Sequence, residues 1–240
     1  MKKAILQFIK NNTLIFVFFI ISIGIIFLYI FTMDWAELFK GAELWFNLMF
    51  QLSVGYIINF MFYVTQVYIP NNKRDIVVKQ QISIRLKEII SNMRQSISAL
   101  SNVYVKDHIG DDYTNEELSL LLNLRFSDHV NVLNASKTTR DQFVYFTVRE
   151  WIAECIHRTE NEIDKLYKYY SADISAELMK VLEDVLHSMY HSMMKTLLST
   201  PNDVDFSQCN DNFFVPYYEL ICKLEKIDKR EHSFSMKSKI

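Results

Sequence analysis

The chain reads as all-α, an N-terminal two-helix transmembrane hairpin followed by a cytosolic helical bundle. Three observations lead there. Two long apolar runs lie within the first 70 residues, the remaining sequence carries apolar residues at helical spacing, and the 240 residues include only four glycines and three prolines. Scarce glycine and proline disfavour sandwiches, barrels and glycine-rich phosphate loops, and favour long helices.

The first run, Asn11 to Met33, is free of charge and follows Lys2, Lys3 and Lys10. Its core, Leu14 to Phe31, approaches the ~20 residues needed to cross a hydrocarbon core. A secretory signal also begins with basic residues and an apolar run. Here the run is too long, no small-x-small cleavage site follows, and a second apolar run comes soon after, so an uncleaved anchor is expected. Ser22 and Gly24 offer a span–span packing patch near mid-span.

The second run, Leu44 to Asn72, also has no charged side chain. Its polar and small residues are regularly placed, with Asn47, Gln51, Gly55 and Asn59 recurring every four positions and Gln66 returning to the same side. At about 100° per residue these five occupy roughly 120° of arc. A carboxamide facing hydrocarbon lacks hydrogen-bond partners, at a cost of several kcal/mol. The stripe should therefore face protein or water. Three uses fit it: packing on the chain's own first span, association of several copies, or lining a wet path through such an assembly.

The expected spans are residues 12–33 and 44–69, within a hairpin domain of residues 1–72. Between them Asp34 to Glu43 forms a connector with three acids and one lysine, bracketed by Trp35 and Trp45 as interfacial aromatics. Three lysines precede the first span and one lies in the connector. Five basic residues, Lys73, Arg74, Lys79, Arg85 and Lys87, follow the second. The positive-inside rule then puts both termini in the cytoplasm. The same cluster suits anionic headgroups, at ~1 kcal/mol per residue near a membrane surface, with nucleic-acid contact there as a lesser alternative.

Pro70, Asn71 and Asn72 punctuate the exit from the second span. From Asp75 to about Lys106 the residues Ile82, Leu86, Ile89, Ile90, Met93, Ile97, Leu100 and Tyr104 step by three and four, marking an amphipathic helix. His108 to Tyr113 reads as a turn pivoting on Gly110, and Thr114 with Glu117 as a capping box. The polar stretch from Asp128 to Lys137 reads as a loop, and no strand is expected. A long helix is expected over Thr139–Tyr170, its apolar face running from Phe143 and Val144 to Tyr167. Another follows, begun by Ser171 to Asp173 and ended before Pro201, and a last one over Phe213–Lys229. The cytosolic domain is thus residues 73–230, with residues 231–240 as a mobile tail.

Setting aside Lys2, Lys3, Lys10 and Lys40 leaves 22 of 26 basic residues after position 70. Setting aside Asp34, Glu37 and Glu43 leaves 25 of 28 acidic ones. A soluble part near −3 argues against broad nucleic-acid binding by bulk charge. Cys155, Cys209 and Cys222 show no paired spacing and read as packed, reduced thiols.

The spacing closest to a metal site is His187 and His191, four apart on one expected helix with Asp184 a turn earlier. The intervening Ser-Met-Tyr lacks the glutamate of a zinc-protease helix, and Glu183, His157 and Glu154 are the available third ligands. A solvent-facing or structural histidine pair explains the spacing as well, so no cofactor is expected. Glu154 and Arg158 suit a surface ion pair. No nucleophile elbow, Walker loop or dinucleotide glycine pattern occurs, so an enzyme is not expected.

The connector Phe39-Lys-Gly-Ala-Glu43, the striped second span, its aromatic-rich exit ending Tyr68-Ile69-Pro70 and the basic helix beyond resemble the two-transmembrane effector proteins of bacterial retron anti-phage systems. The resemblance covers roughly the first 90 residues. It implies an inner-membrane toxin held silent by a reverse transcriptase with its multicopy single-stranded DNA, and released on infection. The residues themselves leave two functions open. One is an effector that assembles through its second span as a homo-oligomer, acts on membrane lipid, and is controlled by a cytosolic regulatory protein. The other is an anchor or scaffold that holds a cytosolic partner at the membrane.

Overall fold

A computed structural model describes residues 8–32, 40–105, 108, 110, 112–200, 206 and 211–238, with residues 231–238 as backbone. The chain is helical apart from one small sheet and divides into two compact units, an N-terminal one through Val77 and one from Val78 to Phe234. The expected connector acids Asp34 and Glu37, Trp35, Cys209 and Pro201 lie outside the described residues.

In the first unit, α1 (Thr13–Thr32) and α2 (Ala42–Tyr63) are long and apolar enough to cross a membrane. They pack antiparallel, because ascending positions on α1 meet descending positions on α2. The Tyr63 hydroxyl donates to Asn12 Oδ1 at 3.0 Å, and the Tyr56 hydroxyl to the Ile15 carbonyl at 2.8 Å. Phe19 stacks on Phe60 at 4.2 Å, and Tyr29 on Phe50 at 4.6 Å. Gly41 precedes α2 at φ 90, a left-handed conformation that side chains rarely adopt.

Pro70 and the two asparagines do not end the second apolar helix, contrary to the sequence expectation. The backbone stays helical from Ala42 to Tyr104, passing through a π-turn at Val64–Tyr68 into α3 (Ile69–Tyr104). The π-turn supplies the physical reason. Proline lacks an N–H and its ring crowds the carbonyl one turn back. The wider turn, in which the Ile69 N–H bonds the Val64 carbonyl, shifts the hydrogen-bond ladder just ahead of Pro70 so that the helix continues.

The second unit is built on the apolar face of α3. Ile82, Leu86, Ile89, Ile90, Met93, Ile97 and Leu100 are all buried, as their spacing predicts. A short α4 (Asn115–Leu120) follows, opened by the expected Thr114–Glu117 capping box. Gly110 takes φ 122, consistent with the turn expected there. The expected loop after it is in part a strand. Residues 129–133 form a strand, β1 (His129–Leu133), paired antiparallel with β2 (Tyr145–Thr147) with a register shift between them. Val130 is buried and alternates with exposed His129 and Asn131, a half-buried strand pattern too short to stand out among polar neighbours.

The long helix accordingly begins later than expected, as α5 (Val148–Tyr170). Thr147 caps it, accepting from the Glu150 N–H while the Glu150 carboxylate accepts from the Thr147 N–H at 3.2 Å. Phe143 and Val144 lie ahead of the helix, with Phe143 69% exposed. The expected single helix to Ser199 is two: α6 (Ala176–Leu186), capped by Ser175 rather than by Ser171–Asp173, and α7 (Met189–Leu198), capped by Ser188. The Ser188 hydroxyl accepts from the His191 N–H at 3.2 Å, a local bond that competes with continuing the helix. The break shifts the buried set from Met189 and Met193 to Tyr190, His191 and Met194. The last helix, α8 (Phe214–Ser238), continues past Lys229 through most of the segment expected as a tail.

One apolar core joins α3, α5, α6, α7 and α8, with a dense aromatic centre. Tyr190 stacks on Tyr217 at 4.1 Å, and Phe213 and Phe214 pack beside them. The Tyr190 hydroxyl reaches Ser96 Oγ at 2.8 Å, satisfying both buried groups.

Candidate assembly face

Viewed down its axis, α2 buries Ala42, Ser53 and Phe60, with Phe46, Phe50, Tyr56 and Tyr63 half-buried around them. At about 100° per residue these side chains centre about 170° away from the midpoint of the amide stripe. The two faces are therefore opposed. Asn47, Gln51, Asn59 and Gln66 are all exposed, and Gly55 is half-buried. Gln51 Nε2 donates to Asn47 Oδ1 at 3.3 Å, while Asn59 and Gln66 make no side-chain hydrogen bond to a described residue. Thr65, on the same side and absent from the sequence reading, satisfies its hydroxyl on the Met61 carbonyl at 2.9 Å. Packing on the chain's own first helix was one of the three uses open to the stripe. Among the described residues, α1 does not cover it.

What holds α1 against α2 is aromatic. Tyr56 and Tyr63, seven residues apart, share a face and bond across, a signal present in the sequence but overshadowed by the amides. Of the two expected packing residues, Ser22 is buried at 7% exposure, whereas Gly24 is exposed and a Cβ there would meet nothing within 4 Å. Residues two apart on a helix point roughly 200° apart, so Ser22 and Gly24 cannot serve one interface. Gly55 likewise has no neighbour within 4 Å of an added Cβ and is not a close-approach point within the hairpin.

The basic cluster also divides. Lys73, Arg74, Lys79 and Lys87 are exposed. Arg85 instead turns inward, its Nη1 2.7 Å from Glu162 of α5, and Lys165 reaches the other oxygen of the same carboxylate. Burial pushes the Glu162 carboxyl up, but Lys165 and Arg85 outweigh it and hold it below the usual range. Arg85 fastens α3 to α5, and this pairing takes it out of the headgroup-binding set.

His187 and His191 do not share a helix. His187 ends α6 and is exposed, as are Asp184, Glu183 and His157, while His191 is fully buried in α7. Glu154 is engaged by Arg158 at 2.7 Å, the expected surface pair. Among the described residues no group of three His, Cys, Asp or Glu is placed to hold a metal. Cys155 and Cys222 are free thiols, and burial pushes that of Cys155 up to about 12, which makes it a packing group rather than a nucleophile. Two features escaped the sequence reading. Arg149 donates to the Leu198 carbonyl at 3.1 Å at the end of α7, and its guanidinium lies 4.8 Å over the Phe126 ring. Phe143, Tyr145 and Leu133 leave an exposed apolar edge on the small sheet.

The chain's described chemistry is thus a polar face on an otherwise apolar helix, and no known protein family, curated protein or solved structure matches the chain.

Proposed function

We propose that the chain is an inner-membrane effector. Its two apolar helices span the bilayer with both termini cytoplasmic, copies associate through the amide face of α2, and the assembly perturbs or permeabilises the membrane when the helical second unit is released. One observation carries this reading: the amides point away from α1, so the hairpin leaves them unused. In hydrocarbon an unpartnered carboxamide costs several kcal/mol, whereas an interhelical hydrogen bond returns roughly 0.6–2 kcal/mol. Copies inserted with the same topology hold Asn47, Gln51 and Asn59 at equal depth, where like amides can bond one another. The resemblance to retron effectors extends the reading to anti-phage defence, with a reverse transcriptase and its single-stranded DNA as the restraining partner.

The alternative, an anchor or scaffold for a cytosolic partner, draws on the exposed Phe143, Tyr145 and Leu133, which offer a docking edge. The two readings part on one experiment. Membrane potential and dye entry are followed in cells expressing the full chain, alongside a variant carrying Asn47→Leu, Gln51→Leu and Asn59→Leu. The effector reading expects depolarisation by the native chain and none by the triple variant, with both inserted equally. Equal depolarisation by both removes the amide face from the mechanism. Intact potential with verified insertion of the native chain favours the anchor.

A further inference from the structure

His191 is a fully buried ionisable side chain of the second unit. It is 0% exposed, and neither Nδ1 nor Nε2 has a hydrogen-bond partner among the described residues. The groups around it are known from each element. On its own helix Tyr190 lies 6.0 Å away between ring centroids, and from α8 the Tyr217 ring lies at 5.7 Å. Glu160 of α5 and Lys195 of α7 are the charges that act on it, and they bond one another at 2.7 Å. The carboxylate that acts on the imidazole is therefore already paired with an ammonium. The two tyrosine hydroxyls and the Cys155 thiol of α5 are all pushed up by burial and stay neutral, and Ser96 of α3 pairs with Tyr190. A neutral imidazole fits this surrounding as a flat aromatic ring. A charged one is shut off from bulk solvent and has no acceptor among the described residues.

We propose that His191 makes the second unit acid-sensitive, its protonation from bulk water forcing α7 off α5 and α8. The direction follows from linkage. Desolvation, the largest cause, lowers the imidazole from 6.5 to about 4, with Glu160 opposing it and Lys195 adding to it. The opened state therefore binds the extra proton. Packing of α7 is at full strength above pH 6.5, weakens as pH falls below that value, and stops weakening near pH 4. Between pH 7.5 and 5.0 the closed-to-open ratio falls about 30-fold. The inference rests on the packing of the second unit alone and does not require the hairpins to assemble.

The test uses the full chain in detergent micelles. Deuterium exchange at the imidazole C2 position, read by mass spectrometry, follows each histidine separately, with exposed His187 as the internal reference. For His191 the expected result is slow exchange with a midpoint near 4; a midpoint at 6.5 or above overturns the proposal. Amide exchange over α7, corrected for its intrinsic pH dependence, should report opening about 30-fold more frequent at pH 5.0 than at pH 7.5. His191→Phe should abolish that difference, and a difference that persists in it overturns the proposal. Should that variant fail to fold, the C2 midpoint of the native chain decides the matter.

Discussion

The two units of this chain turn different kinds of residue outward. In the first, Leu14, Phe31 and Leu44 are 71–75% exposed while Ser22 and Ser53 are buried. In the second, Leu86, Met93, Ile97 and Leu100 are fully buried, and the outward faces carry ion pairs such as Arg158–Glu154 and Lys195–Glu160. A water-soluble unit cannot sustain the first pattern, because apolar area left in water costs roughly 25 cal/mol per Å². The contrast teaches that the first unit's outward face is largely apolar where the second's carries paired charges. It also isolates the amide stripe as a polar strip on that apolar outward face.

The comparison can be broken most severely in the second unit. Ile97→Asn places an unpartnered carboxamide where exposure is 0% and should cost about 3–5 kcal/mol, from lost burial and an unsatisfied polar group together. Thermal or denaturant unfolding of the full chain in micelles should show the second unit unfolded or nearly so. The same change at Ile20 of α1, 52% exposed, should leave that unfolding transition in place. An intermediate effect belongs to the α5 cap. Thr147→Ala removes the bond to the Glu150 N–H and should cost about 1 kcal/mol, read as a lowered unfolding midpoint. The smallest is Glu154→Gln, which removes an exposed i,i+4 pair worth about 0.3–0.5 kcal/mol and should barely move that midpoint.

How much of this was legible in the sequence varied with the physics involved. The α3 face could be read residue by residue, because one long amphipathic period dominates its neighbourhood. The Thr114 capping box was equally plain. The matching Thr147-x-x-Glu150 signal was present but masked, since Phe143 and Val144 continued the helical apolar spacing into a stretch that tertiary pairing draws into a strand. Ser188 was hidden for a related reason: a serine within an apolar periodic run reads as a helical position unless its hydroxyl is seen to bond three residues ahead. That one break also dissolved the His187–His191 pair. Pro70 erred the other way, as a helix terminator that a π-turn accommodates. The stripe itself was visible from composition and spacing. Which way it faced was not, because the direction depends on Tyr56 and Tyr63 finding Ile15 and Asn12 on another helix.

The central claim is that copies meet through the outward amide face of α2, and photo-cross-linking in membranes tests it most directly. A benzophenone amino acid is placed in turn at Gln51, at Asn59 and at Phe27, the last being a 58% exposed position on α1. The account predicts chain-to-chain adducts from positions 51 and 59 and none from position 27. Adducts from position 27 with none from 51 or 59, in chains shown to be inserted, would contradict it.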